Sequence, residues 1–319
     1  MRKIVGTTSL IIKCCKLYYE DSLTQDEISN ILGISRPTVS RLLDEGRKLG
    51  IVKIEIVNPL KNNYEDLERK IEKKYKIREV IIVDDDDDEN MQKKRAAKCA
   101  AEYLQRIVKK GNKIGVSMGT TIKDISKYIN SNPKMNLEFI PLVGGIGQIQ
   151  IEIHPNQIVM DLARACSGKF KLLHVPAVVS NPNIRNGFIK EKSISEILML
   201  GKNVDIAVVG IGSPVTKEST MMKSGYFNEE DIRRFKKEGA VGDICLQFYD
   251  INGEFMNFQF NKRVVGINLN DIKRIKTVVG VACGNDKIDA ITGALNGNLL
   301  DVLITNYSIA KNIYERSND

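Results

Sequence analysis

The residues best suited to reading a nucleic acid fall together at Ser35-Arg36-Pro37-Thr38-Val39-Ser40-Arg41. An arginine fork matches a guanine edge or a phosphate, hydroxyls serve either, and a helix start brings backbone amides to phosphate. A second stretch, Ser117-Met118-Gly119-Thr120-Thr121, offers different chemistry. Its glycine permits close backbone approach, and its hydroxyls, with the amides of a following helix start, make a nest for phosphate. Gly144, Gly145 and Gly147 form a third candidate, a loop able to close over a ligand because glycine tolerates backbone angles that strain other residues. The run Asp84 to Asp88 has carboxylates for a metal, but nothing in the sequence fixes them around a cation. Mutual repulsion predicts a solvated loop at a strand end instead. Each reading has a plainer rival: a helical hairpin used for packing in the first case, a capped helix with no ligand in the second.

The local patterns say how these residues are held. Thr24-Gln25-Asp26-Glu27 is a capping box, in which the threonine hydroxyl and the glutamate carboxylate satisfy each other's backbone donors. It starts a helix through Leu32; Gly33 ends that helix and Ser35 caps the next, with Arg36 and Pro37 in its first turn. Ile28, Ile31, Leu32, Ile34, Val39, Leu42 and Leu43 are expected to join the two helices. That leaves Arg36, Pro37, Thr38, Ser40 and Arg41 outward, with Thr24 and Gln25 at the start of the first helix as further DNA contacts. This is a helix-turn-helix, preceded by a first helix in LIIKCCKLYY. After Gly50, IVKIEIV alternates with period two and predicts a strand, either a minimal wing or a lead into a linker. Asn58-Pro59 punctuates the chain, which predicts domains at 1–58 and 59–319.

Beyond the boundary, YEDLERKIEKKYKI is a charged helix with Leu67, Ile71 and Tyr75 in a seam, a linker or a dimer contact. Strands and helices then alternate. EVIIV, KIGVSMG, LEFIPLVGG, KLLHVPAVV, VDIAVVGIGS, GDICLQFYD, TVVGVACG and DVLITN read as strands, with helices after several of them. Such βαβ units imply an α/β domain with a mainly parallel sheet covered on both faces, and a ligand beyond the carboxyl ends of the strands.

Composition sets bounds on the function. Of 319 residues, 42% are apolar and 28% charged, as in folded soluble domains. No run reaches the roughly 18 apolar residues of a membrane span, and Lys13 and Lys16 interrupt the N-terminal apolar stretch, so no signal peptide is expected. A net charge of +8 favours polyanions without specifying one. Six cysteines without a CxxC pair and two histidines, His154 and His174, predict reduced thiols in the cytoplasm and no metal site.

The segments IGVSMGTT, PLVGGIG, DIAVVGIGS, GAVGDIC, VACGNDKIDAI and DVLITN resemble, in order and spacing, the SorC family of sugar-binding transcriptional regulators. With the helix-turn-helix, that resemblance covers nearly the whole chain. It implies an effector domain similar to glucosamine-6-phosphate deaminase and ribose-5-phosphate isomerase, and DNA binding altered by a phosphorylated sugar. It implies an acceptor for sugar hydroxyls at Asp243, which could otherwise cap a turn. It also implies a phosphate cation at Lys287, which could otherwise be solvated. Asn156 and Gln157 match polar residues opening the helix after the glycine loop, as ligand contacts or as caps. Gly210, Gly212 and Ser213 are placed in the same pocket through their backbones, and Val143 stands where some members carry a basic residue.

Two functions follow. The first is a homo-oligomeric regulator, dimer or tetramer, binding double-stranded operator DNA under control of a small phosphorylated sugar, with no cofactor, metal or catalytic residue. The alternative is a sugar-phosphate isomerase or deaminase with a DNA-binding appendage. It needs a positioned acid or base; Asp243 could take that role, but no histidine-carboxylate pair accompanies it near the glycine loops.

Overall fold

The three helices at the start of the chain form where the caps dictate. In a computed structural model describing residues 2–54, 64–129, 135–145, 151–213, 227 and 229–316, with side chains from Thr8 onward, they are α1 Arg2–Tyr19, α2 Gln25–Leu32 and α3 Arg36–Lys48. The Thr24–Glu27 capping box is closed: the Thr24 hydroxyl accepts from Glu27 N, and Thr24 N donates to the Glu27 carboxylate at 2.8 Å. Gly33 is left-handed at φ 63°, and Ser35 caps α3 by accepting from Thr38 N. The core is Ile11, Cys14, Cys15, Ile28, Val39, Leu42 and Leu43, with Leu32 and Ile34 at its margin. Ile31 does not join them and is 57% exposed. With about 100° of turn per residue, the buried stripe runs from Ile28 to Leu32 and leaves Ile31 well to one side. The predicted strand after Gly50 is not formed over Ile51–Ile54, and its remainder, 55–57, lies outside the described residues.

Two compact units result, Met1–Lys61 and Asn62–Asp319. The expected boundary at 58 and 59 also lies outside the described residues.

The second unit opens with α4, Glu65–Tyr75, whose acidic first turn and basic last turn suit the helix dipole. Its apolar seam turns into the unit's own core rather than serving as a free linker, with Ile71 fully buried. α4 covers β1 (Glu79–Val83), an edge strand, and supplies acceptors that the sheet lacks there: Val80 N donates to Glu72 Oε1 and Ile82 N to Glu68 Oε1. Burial raises the Glu68 pKa.

The acidic run ends β1 as a structured turn. Asp85 accepts from Asn306 Nδ2 and from the Ser308 amide and hydroxyl, Asp86 pairs with Arg95, and Asp88 caps α5 (Glu89–Ile107). Among the described residues, no cluster of His, Cys, Asp or Glu is placed to hold a metal ion.

The remaining strands are β2 Lys113–Val116, β3 Glu138–Pro141, β4 Lys169–Phe170, β5 Ile206–Gly210, β6 Gly242–Ile244, β7 Gln247–Tyr249, β8 Val278–Val281 and β9 Val302–Asn306. Seven pair in parallel in the order β1-β9-β8-β5-β2-β3-β4, giving the expected α/β sheet. Alternate residues pack to opposite faces. Ile206, Val208, Val279, Val281, Val302 and Ile304 meet α5 and α6 (Pro155–Ala165), while Ala207, Val209, Val278 and Leu303 face α4 and the helices Ile288–Asn296 and Tyr307–Glu315.

Three expectations change. GDICLQFYD is an antiparallel hairpin, β6 and β7, turned by Cys245 and Leu246, both at positive φ. The stretch 171–179 forms no ladder strand; Pro176 lacks a donor, and isolated bridges, Gly145 with Pro176 and Val178 with Val264, tie it down beside single bonds such as Lys171 N to Phe139 O and Val179 N to Arg263 O. After Thr121 there is one 3-10 stretch, Ile122–Lys127, rather than an α-helix.

Candidate functional site

In the first unit, α3 presents Arg36, Pro37, Ser40 and Arg41 to solvent, with Thr38 half-buried. The side chains at the N-caps are already engaged. Thr24 closes the box with Glu27, while Ser35 and Thr38 share a hydroxyl contact of 2.8 Å. These residues, with Gln25 as the first residue of α2, set the two helices in register. Arg36 pairs with Asp26 at 3.5 Å, both well exposed, so the pair is weak and a phosphate can displace it.

In the second unit a cavity of about 580 Å³, a size suited to a small ligand, opens beyond the carboxyl ends of β2, β5 and β8. The chain runs outward from β2 through β3 to β4 and then returns to β5 on the other side of β2. The cavity thus lies at the switch point of the sheet, where open α/β sheets bind ligands.

Its first wall is Gly119, Thr120 and Thr121, following β2. Gly119 has φ 151°, open to glycine and strained for other residues. Because a short 3-10 stretch follows, the macrodipole of a long helix is missing here, and charge for an anion must come from side chains. Ser117 stands just behind this wall. Its hydroxyl accepts from Gly210 N at 2.9 Å and donates to Met118 O at 3.0 Å, riveting the end of β2 to the end of β5.

The second wall is Gly210 to Ser213, bridged to Asp243 on β6. Gly212 N donates to Asp243 O and Asp243 N to Gly212 O, at 2.9 and 3.1 Å. A Cβ on Gly212 would lie 2.1 Å from Asp243 Oδ1, so glycine is required for the carboxylate to stand where it does. The hairpin carrying Asp243 is anchored by aromatic packing, with Phe248 stacked on Phe260 and edge-on to Phe235, and by Tyr249 Oη donating to Ala290 O. Burial pushes the Asp243 carboxyl up to about 6, against the pull of the Lys287 ammonium and the Leu246 amide. Lys287 closes the third wall after β8. Its ammonium donates to Ile211 O at 2.8 Å, and burial lowers its pKa, opposed by Asp286 and Asp243.

Gly119, Thr120, Thr121, Gly210, Gly212, Ser213, Asp243 and Lys287 are therefore gathered around one cavity. Gly144, Gly145, Asn156 and Gln157 are not among the residues lining it. The two glycines serve packing. A Cβ would lie 2.6 Å from Val175 O at Gly144 and 2.1 Å from the His154 ring at Gly145. Gly147 lies outside the described residues. The Asn156 amide is spent on Leu173, donating to its carbonyl and accepting from its N–H, while Gln157 bonds Asp161 one turn on. Val143 is fully buried, and His154 caps α6.

Among the lining residues that escaped the sequence reading are Glu89 and Lys93 at the start of α5. The available signal was position: α5 begins at the carboxyl end of β1, the side of the sheet where ligands sit.

Comparison with known proteins bears on both units. Residues 60–315 match the family model Sugar-bind, described as "Putative sugar-binding domain", and residues 13–48 match Sigma-70, region 4. The chain is 32% identical over 306 residues to the deoxyribonucleoside regulator of Bacillus subtilis (strain 168), covering 95% of this chain and 96% of that one. The crystal structure of the full-length sorbitol operon regulator SorC from Klebsiella pneumoniae matches with a TM-score of 0.75 at 30% identity, over 96% of this chain and 98% of that one. A DeoR family transcriptional regulator from Listeria monocytogenes matches with a TM-score of 0.72 at 35% identity, over 79% and 100%. With its helix-turn-helix and its switch-point cavity, the chain belongs to the SorC family, DNA-binding transcriptional regulators modulated by a sugar.

Proposed function

We propose that the effector is a small phosphorylated sugar held in the switch-point cavity, and that its binding changes the affinity of a homo-oligomer for double-stranded operator DNA. The observation carrying this reading is that Asp243 and Lys287 line one cavity together with Thr120 and Thr121. A carboxylate accepts from sugar hydroxyls, while an ammonium and two threonine hydroxyls take a phosphate. Gly119, Gly210, Gly212 and Ser213 supply close backbone, and Ser117 holds the walls together. Arg36, Pro37, Thr38, Ser40 and Arg41 read the operator, and Thr24, Gln25 and Ser35 set their helix.

We infer that the chain acts by binding alone, without a cofactor, in the cytoplasm where its operator is. The carboxyl of Asp243, near 6, is a group that an isomerase or deaminase could use, but neither histidine lines the cavity to assist it. Among the described residues, no helix is long and apolar enough to cross a membrane.

The test is a thermal-shift panel of sugar phosphates and their parent sugars on the full chain, read beside binding to an operator fragment. A phosphorylated sugar is expected to raise the melting temperature and alter operator affinity, with no product formed. If parent sugars shift the melt and their phosphates do not, the phosphate assignment is wrong. If the Arg36→Ala, Arg41→Ala double variant holds the operator as tightly as the parent, α3 is not the reading helix.

A further inference from the structure

Lys93 and Glu89 line the effector cavity and pair with one another across one turn of α5. Their environments are unequal. The Lys93 side chain is 19% exposed, whereas that of Glu89 is 74% exposed. A lysine so withdrawn from water needs an anion, but its present partner sits mostly in solvent, where screening leaves an ion pair little net strength. Exchange of that partner for a ligand anion is therefore cheap.

Lys287 is in the opposite position. It donates to Ile211 O at 2.8 Å, and its charge opposes the effect of burial on Asp243, which is only 9% exposed, so drawing Lys287 away would break that bond and raise the cost of ionising the carboxyl. Of these two lysines, Lys93 is the one whose partner can be replaced.

Its placement is rigid. Gln92, the preceding residue, is buried, donates to Asp84 O at 3.1 Å and accepts from Asp86 N at 2.7 Å. Asp88 caps α5, Arg95 holds Asp86, and Asp85 ties the turn to Asn306 and Ser308 at the end of β9. The acidic run thus pins the first turn of α5 to the sheet and fixes Lys93 on the cavity wall. That is a role for Asp84, Asp85, Asp86 and Asp88 that needs no metal.

We propose that Lys93 is an effector-binding, specificity-determining residue: its ammonium leaves the Glu89 carboxylate for the anionic group of the sugar, so that Glu89 competes with the ligand. The assignment rests on the reading of the cavity as a site for a phosphorylated sugar. It makes Glu89 a brake on phosphate affinity rather than a support for it.

Opposite signs test this. Binding to the full chain is measured by calorimetry for the parent, Lys93→Met and Glu89→Gln, with three probes: inorganic phosphate, the sugar phosphate giving the largest thermal shift, and its parent sugar. Loss of one charge-assisted contact weakens both phosphate probes about tenfold in Lys93→Met, and release from competition tightens them about threefold in Glu89→Gln. The parent sugar is expected to bind all three proteins alike. A merely structural ion pair would make the two variants weaken together, and that result, or equal affinity in all three, overturns the proposal. A parent protein that binds sugar phosphate while the variants match it overturns this assignment alone. A parent protein that binds neither phosphate nor any sugar phosphate overturns the reading of the cavity as well.

Discussion

Asp243 sets stability against binding. Its carboxyl, raised by burial to about 6, binds a proton in the folded chain more tightly than in the unfolded one, where the ordinary value is 3.8. The native state therefore holds more protons between those limits, and stability falls as pH rises through the window. A shift of about two units corresponds to roughly 3 kcal/mol lost once the group is ionised. Asp243→Asn is expected to flatten the melting-temperature profile between about pH 4 and pH 7 while abolishing effector binding. An unchanged slope would show that the carboxyl does not titrate there. Gly212 tests the same residue from the other side. The Cβ of Gly212→Ala would fall 2.1 Å from Asp243 Oδ1, so the carboxylate must move. Effector affinity is expected to drop at least about tenfold, as for loss of a charge-assisted hydrogen bond. Titration of the variant with the sugar phosphate that shifts the parent's melt checks this.

At the scale of elements, contacts decide what propensity leaves open. α1 crosses α3 at Gly46, where a Cβ would lie 2.4 Å from Cys15 Sγ. Gly46→Ala should therefore destabilise the helical unit by about 2 kcal/mol through overpacking. Adding Cys15→Ala should recover about half of it, a non-additivity measurable by thermal unfolding and operator binding of the full chain. If the double variant is no better than the single one, the sulfur is not the obstacle. The same distinction explains what could be read from sequence. The capping box, Gly33 and Ser35 were legible because capping is settled within four residues. The β6–β7 turn was not, since Cys245 and Leu246 occupy left-handed positions usually marked by Asn or Gly. Gly144 and Gly145 read as a flexible loop, whereas their need for glycine comes from Val175 and His154, distant in sequence. Ile31, on the short α2, and Lys93, in the first turn of the long α5, depend likewise on which way their helix faces. Asp243 and Lys287 were found by resemblance, and the cavity shows their physical relation.

At the scale of the whole molecule, the cavity gathers the loops after β2, β5 and β8 at one end of the parallel sheet, with the β6–β7 hairpin against them. Effector control of DNA binding then requires only that the operator-bound and free states differ in their affinity for the sugar. Linkage makes this quantitative. If saturating effector weakens the operator complex by some factor, saturating operator must weaken effector binding by the same factor. For a typical coupling of about 1–3 kcal/mol, that factor is roughly 5 to 150. Operator affinity is best compared at one salt concentration. With a basic chain of net charge +8, phosphate contacts release counterions, and affinity falls steeply as salt rises. Two titrations give the check: operator into protein with and without the sugar phosphate, and sugar phosphate into protein with and without operator, at equal ionic strength. Equal ratios are expected. A sugar phosphate that shifts the melt but leaves both ratios at one would bind the cavity without regulating, and control by the sugar would have to enter elsewhere.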